Sequence, residues 1–256
     1  MANHDLEGRV AVVTGATGGM GQAIVRHLVQ AGAHVVATDN TDQAREALLS
    51  SCNGLTGTAS FVAGDVANTS DIANVVGTAV ADHGRLDCAV NAAAVEFETV
   101  PLADCPDDDF DHMMNVNTRG VFLSMKHELR AMMAAGNGGS IVNIASTNSY
   151  RPQHNQPAYT ASKHAVLGLT KSAAIDYAQH NIRVNCVVPG AINTPMLHNA
   201  MERRNRNVED VARHLSKFHR FGEPDEIAEA VMFLCSDASS FTTGHALAVD
   251  GGMLAG

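Results

Sequence analysis

Val10-Ala11-Val12-Val13-Thr14-Gly15-Ala16-Thr17-Gly18-Gly19-Met20-Gly21 passes from a short β-branched run straight into a cluster of glycines. A segment of helical period follows, from Gln22 to Ala31, so the stretch predicts a strand, a tight turn and a helix. Glycines allow the backbone to turn sharply and to approach a pyrophosphate, whose charge then faces the unpaired N–H groups of the helix N-terminus. Many strand-to-helix turns contain two glycines, so the turn alone says little. The second apolar run, Val35 to Thr38, adds to it by ending in Asp39, 18 residues beyond Gly21, where a dinucleotide fold places an acid on the adenosine ribose. A carboxylate there accepts hydrogen bonds from ribose hydroxyls and repels the extra phosphate of NADP. Neither the turn nor Asn40 supplies an Arg or Lys to hold that phosphate, so NAD is the expected cofactor.

Outward from this unit the same alternation repeats. Short apolar runs recur at Ser60 to Ala63, Cys88 to Val90, Ser140 to Ile144, Arg183 to Val188 and Ala246 to Val249. Helical periods lie between or after them at Thr69 to His83, Pro106 to Ala135, Tyr159 to Gln179 and Asp225 to Cys235. Strand and helix in alternation predict an α/β fold: a Rossmann-type, doubly wound parallel sheet of about seven strands with helices on both faces. No linker or repeat divides the chain, so residues 1–256 read as a single domain. The segment of uncertain structure from Ala191 to Gly222, beyond the end of the sixth run, is placed to cover a substrate. In such a sheet ligands bind outside the carboxyl ends of the strands, so Asp65, after the third run, and Asn91, after the fourth, face the expected cleft unless they are plain turn residues.

Composition narrows the function classes. A net charge of -10 argues against a nucleic-acid surface, which needs clustered Lys and Arg. No apolar stretch is long enough to span a membrane, and the polar segment from Met1 to Gly8 lacks the pattern of a secretory signal, so a cytoplasmic enzyme is expected. The five cysteines are scattered without a C-x-x-C pair and read as reduced packing residues; no metal-ligand motif such as H-E-x-x-H occurs.

Tyr159 and Lys163 are four apart at the start of a helical segment and so share one face. A Lys ammonium beside a phenol favours the phenolate, lowering a pKa that would otherwise lie near 10, and makes the tyrosine a proton acceptor near neutral pH. The spacing is common on solvated helices; what gives it weight is Ser146, just past the fifth run and at the same sheet edge as the nucleotide motifs. A hydroxyl there can hold a substrate oxygen as its charge changes. Asn117 lies within the long preceding helical segment, where a local break would let it hold a water beside Lys163; otherwise it is a helix-face amide.

With these residues assembled, the chain resembles the short-chain dehydrogenase/reductase family from about Leu6 to Gly252, with the motifs in family order. The resemblance implies a T-G-x-x-x-G-x-G turn at Thr14 to Gly21, an adenine-ring acid at Asp65, a catalytic tetrad of Asn117, Ser146, Tyr159 and Lys163, a P-G turn at Pro189-Gly190, and Thr194 placed to meet the nicotinamide carboxamide. It implies an NAD-contacting set of Gly15, Thr17, Gly18, Gly19, Met20, Gly21, Asp39, Asn40, Asp65, Val66, Asn91, Ala92, Ala93, Tyr159, Lys163, Pro189, Gly190, Ile192 and Thr194. Asp250-Gly251-Gly252 looks like the family's C-terminal signature. The usual N-N-A-G after the fourth strand is here Asn91-Ala92-Ala93-Ala94, a departure that bears on cofactor affinity more than on reaction type.

By the same resemblance Tyr159 exchanges the proton of a secondary alcohol while hydride passes to NAD. Lys163 then stabilises the phenolate, holds the cofactor ribose and relays the proton through water near Asn117. A homotetramer built through the two long central helices is implied as well. A 3-oxoacyl carrier-protein reductase is the alternative within the family, against which Asp39 and the absence of an obvious basic docking site at Ala173 to Asp176 count. A non-catalytic NAD-binding regulator is the alternative of another class, against which the intact tetrad counts.

The substrate is a small-molecule alcohol or ketone expected to meet Ser146, Tyr159, Glu96, Asn148 and His154. The polar run Thr147 to Gln156 hints at a second hydroxyl, carbonyl or carboxylate on it, unless that run faces water. Arg203, Arg204, Arg206, Arg213 and Lys217 form a basic run that either draws an anion by its local field or is the solvated face of an amphipathic helix.

Overall fold

All seven apolar runs enter one parallel sheet. The computed structural model describes residues 5–256, so the first four residues of the polar N-terminal segment lie outside it. The strands are β1 (Val10–Thr14), β2 (His34–Thr38), β3 (Thr58–Phe61), β4 (Cys88–Asn91), β5 (Gly139–Ile144), β6 (Ile182–Pro189) and β7 (Ala246–Val249). Their order is β3-β2-β1-β4-β5-β6-β7, with every neighbouring pair parallel. The sheet grows outward in both directions from β1 and β4, and the crevice where the order reverses lies at the carboxyl ends of those two strands.

Alternation along each strand feeds two cores. Ala11 and Val13 of β1 pack with α1 (Gly19–Gln30), α2 (Arg45–Ser51) and, from late in the chain, the helix Pro224–Cys235. Val10 and Val12 pack on the other side with α3 (Thr69–His83) and the two long central helical segments. Each fully buried Val or Leu contributes about 1.5–3 kcal/mol over an exposed one, so a parallel sheet apolar on both faces is held by its helices.

The expected helix from Pro106 to Ala135 is broken. α4 (Asp107–Met114) gives way to a π-helical turn over Asn115–Arg119 before α5 (Gly120–Ala135). One wide turn re-aims the side chains inside it, and such turns are frequent at functional sites; Asn117 sits at its centre. α6 (Pro157–Tyr177) starts two residues before Tyr159 because Pro157 takes a first-turn position that lacks an intrahelical N–H partner anyway.

The cover segment is more ordered than its sequence suggests. It holds α7 (Pro195–Arg203), capped by the Thr194 side chain, and α8 (Val208–Leu215), whose Asn207 cap accepts from the Glu209 and Asp210 N–H groups. Met201, Val211, Ala212 and Phe221 form a small core of its own. α9 (Pro224–Cys235) follows, closed by a reciprocal Glu223–Glu226 capping box. Among the described residues no helix is long and apolar enough to cross a membrane. All five cysteines are free, and four of them are buried.

Candidate active site

The glycine turn forms a cradle that side chains would fill. Gly15 has φ +64°, and a Cβ there would lie 2.6 Å from Ala93 Cα; one on Gly21 would lie 2.0 Å from Gly15 O. Neither position tolerates a side chain without moving backbone. The turn opens on a cavity of ≈ 410 Å³ lined by Gly15, Thr17, Gly18, Gly19, Met20, Gly21, Asp39, Asn40, Asp65, Val66, Ala92, Ala93 and Thr194, positions expected from the sequence to meet NAD. Asp39 Oδ2 accepts from Thr17 N at 3.0 Å and Thr17 Oγ1 at 2.6 Å, and its Oδ1 accepts from Asn40 N at 2.8 Å, so the carboxylate is locked at the carboxyl end of β2. A bare backbone cradle beside a fixed carboxylate suits a dinucleotide.

Asn91 and Lys163, also expected to meet NAD, line neither this cavity nor the one beside it. The Asn91 side chain turns into the interior, where Nδ2 donates to Glu128 and Asn143, and the cavity wall begins one residue later at Ala92. Pro189, Gly190 and Ile192 line a second, smaller cavity of ≈ 130 Å³, which shares Met20, Thr194 and Met196 with the first.

Ser146 and Tyr159 line this second cavity. Ser146 sits just beyond β5 and accepts from Asn148 N at 3.1 Å as the cap of a short 3-10 turn. Burial pushes the Tyr159 phenol up to about 12; the Ser146 hydroxyl draws it down, the Glu96 carboxylate pushes it up and the Arg204 guanidinium draws it down. Burial also pushes the Lys163 ammonium down to about 8. Lys163 Nζ donates to Ile144 O at 2.9 Å and stands 5.7 Å from the centre of the Tyr159 ring. Lys163 is not among the groups that shift the phenol in this geometry, where desolvation is the largest cause and Lys163 Nζ is engaged by Ile144 O.

Asn117 is completely buried, and both ends of its amide hold Val95: Oδ1 accepts from Val95 N at 2.8 Å and Nδ2 donates to Val95 O at 3.0 Å. Nδ2 also reaches Ser162 Oγ at 3.2 Å. These bonds fasten the loop after β4 to the π turn and to α6.

Glu96 and Asn148 line the second cavity, but their polar atoms are largely committed to protein. Gln153 Nε2 donates to Asn148 Oδ1, Asn148 Nδ2 to Gln156 Oε1, and Gln156 Nε2 to Glu96 Oε1. Arg204 and Arg203 complete the chain on Glu96, Arg203 at 3.3 Å. Part of the basic run thus folds back on a buried acid and ties the cover to the β4 loop, whereas Arg206, Arg213 and Lys217 are exposed. His154 is also exposed and outside the cavity lining; the loop turns at Asn155, with φ 60°, and Gln153 and Gln156 are the side chains that line it.

Glu98 was not legible as a site residue. Its buried carboxylate accepts the N–H of Ala158 at 2.8 Å and of Tyr159 at 2.7 Å, at the N-terminus of α6. No local pattern links it to a helix that begins some sixty residues later.

The chain matches the family described as Enoyl-(Acyl carrier protein) reductase over residues 15–254. It is 42% identical over 253 residues to 2,5-dichloro-2,5-cyclohexadiene-1,4-diol dehydrogenase of Sphingobium indicum, covering 98% of this chain and 99% of that one. The crystal structure of levodione reductase superposes with TM-score 0.93 at 31% identity, covering 97% of this chain and 98% of the other. Structures of similar shape carry either dinucleotide. NAD+-bound xylitol dehydrogenase has TM-score 0.92 at 31% identity, over 96% and 99% of the two chains. ElxO with NADP bound has TM-score 0.90 at 28% identity, over 97% and 99%.

Proposed function

Since this chain belongs to the short-chain dehydrogenase/reductase family of oxidoreductases, we propose that it is an NAD-dependent dehydrogenase that interconverts a ring-borne secondary alcohol and its ketone, with Tyr159 as general acid and base. The observation that carries this reading is the meeting of Ser146 and Tyr159 in a cavity that shares Met20, Thr194 and Met196 with the glycine cradle.

When bound, NAD supplies a nicotinamide carbon that takes up hydride. Gly15 to Gly21 would hold its pyrophosphate and Asp39 its adenosine ribose, with Thr194 at the nicotinamide end. The choice of NAD rests on Asp39, since similar structures carry either dinucleotide. In alcohol oxidation Ser146 Oγ orients the substrate oxygen and Tyr159 Oη accepts its proton. Lys163 would hold the cofactor ribose with the Nζ hydrogens that Ile144 O leaves free. Asn117 holds the β4 loop, and Glu98 holds the Tyr159 main chain, so that donor and acceptor meet at a fixed distance.

The cavity supports a compact ring with a second oxygen. Met196, Leu197, Ala200 and Leu215 make one apolar wall, and Asn148, Gln153 and Gln156 a polar one. The name of the Sphingobium relative is that of a ring diol dehydrogenase. A four-subunit assembly goes with this reading, supported by the exposed Phe122 beside Leu169 on the outer faces of α5 and α6, and sedimentation checks it.

The test is turnover with NAD or NADP against cyclic diols, open-chain secondary alcohols, hydroxysteroids and sugar alcohols, beside a Tyr159→Phe control. NAD-dependent oxidation of cyclic diols that is lost in the control is the expected result. Preference for NADP, or equal turnover by the control, overturns it.

A further inference from the structure

A string of buried polar side chains crosses the layer between the sheet and the two central helices. Glu128 on α5, Asn91 on β4, Asn143 on β5 and Thr170 on α6 are each no more than 2% exposed. Asn91 Nδ2 donates to Glu128 Oε2 at 3.1 Å and to Asn143 Oδ1 at 2.9 Å. Asn143 Nδ2 passes the string to Thr170 Oγ1 at 2.9 Å, and Thr170 Oγ1 ends it on Val166 O at 2.8 Å. Two acceptors of the first pair are left over, Asn91 Oδ1 and Glu128 Oε1, and Ser124 Oγ one turn before Glu128 also lacks a partner.

An ionised Glu128 would be a buried anion whose hydrogen bond comes from a neutral amide, with one unsatisfied oxygen on the acid and one on the amide that bonds it. Buried groups in that state are costly, and a single hydrogen between the two oxygens removes both defects. We propose that Glu128 carries a proton on Oε1 and donates it to Asn91 Oδ1, closing an acid–amide ring of two hydrogen bonds that makes Glu128 a positioning residue for the end of β4. Burial supports this by lifting the Glu128 carboxyl to about 8, offset only in part by the Asn91 hydrogen bond. The polar groups that the sheet and α6 bring to the string, Asn91, Asn143 and Thr170, are all neutral, and no charged group contributes to the shift.

Asn91 is where β4 ends. The chain leaves it through Ala92, Ala93 and Ala94, which line the cradle cavity, and reaches Val95, which Asn117 clamps. Ala93 N also donates to Thr14 Oγ1 at 3.3 Å. With the ring at one end and Asn117 at the other, the segment that replaces the family's N-N-A-G is pinned at both ends. The effect on the cofactor rests on the reading that the dinucleotide lies in that cavity; the ring itself does not.

The experiment compares wild type, Glu128→Gln and Glu128→Ala. Gln has the same shape and, as a neutral amide, accepts from Asn91 Nδ2 and donates to Asn91 Oδ1. Glu128→Gln is therefore expected to keep the wild-type NADH dissociation constant at pH 7 and to melt no lower than wild type there, whereas Glu128→Ala lowers the melting temperature and raises the dissociation constant severalfold. Infrared difference spectra at pH 7 should show a protonated-carboxyl carbonyl band in wild type that is missing from Glu128→Gln. Between the ordinary value of 4.5 and about 8 the native state binds the extra proton, so wild-type stability falls relative to Glu128→Gln as pH rises through that window and runs parallel above it. Absence of the acid band, or a Glu128→Gln protein as unstable as Glu128→Ala or unable to fold, overturns the proposal. If band and pH slope hold but wild type does not bind NADH, the dinucleotide reading fails and the ring stands.

Discussion

Glu98 Oε2 accepts the backbone N–H of Tyr159 at 2.7 Å, so the residue proposed to transfer the proton is seated by a carboxylate 61 positions earlier in the chain. The other oxygen takes the Ala158 N–H, and together they satisfy two of the three donors left unpaired at this helix N-terminus, where Pro157 has none.

Glu98→Ala strands both donors. A loss of about 1–3 kcal/mol in unfolding free energy is expected, from a lost cap and buried unpaired N–H groups. Because the bond is to Tyr159 itself, kcat falls while NADH affinity changes little. Urea unfolding and steady-state kinetics measure the two effects, and unchanged kcat at full folding would refute the positioning role.

The pH dependence follows from the buried phenol. On the proposed mechanism alcohol oxidation needs the Tyr159 phenolate, and burial raises the phenol to about 12, so kcat for oxidation is expected to rise with pH across the alkaline range while ketone reduction holds its rate. Glu96 raises that value and Arg204 lowers it. Glu96→Gln therefore moves the rising limb to lower pH, and Arg204→Met moves it higher. Opposite shifts of the two variants in kcat–pH profiles are the signature to look for.

On the proposed reading Asp39 carries the cofactor choice. Replacing it with Ala and Asn40 with Arg removes the repulsion of a 2′-phosphate and adds a partner for it. The ratio of kcat/KM for NAD over NADP is expected to fall at least about tenfold, or roughly 1.4 kcal/mol. An unchanged ratio would place selectivity elsewhere.

The pairing of Arg204 with Glu96 ties the cover to the core. Arg204 is 15% exposed and Glu96 5%, so Arg204→Met leaves an acid that keeps only Arg203 and Gln156. Substrate KM is expected to rise about tenfold with a smaller change in kcat, and hydrogen exchange over residues 195–215 to speed up. Equal exchange rates in both proteins would remove the clasp from consideration.

The sheet was legible because it rests on local signals. β-branched runs and their spacing identified all seven strands to within about two residues, and a glycine turn between a strand and a helix leaves few other folds. In the cover an amphipathic helix is one reading of the basic run, but the bounds of α7 and α8 were not legible although Thr194-Pro195 and Asn207 mark their starts, because a polar, basic segment shows little core period until its own small core is assembled.

The sequence by itself determined the parallel α/β architecture, the cradle at Gly15 to Gly21 and the grouping of Ser146, Tyr159 and Lys163 at one sheet edge. All of these follow from residue type, order along the chain and the rule that such strands end on one side. Only the tertiary structure decided that Asn91 faces Glu128 instead of the cleft, that Lys163 Nζ donates to Ile144 O, that Glu98 seats Tyr159, and that Glu96 is held by Arg203 and Arg204. These are hydrogen bonds and ion pairs between residues up to 108 positions apart, and they form only when burial has stripped the groups of water and left them to find one another.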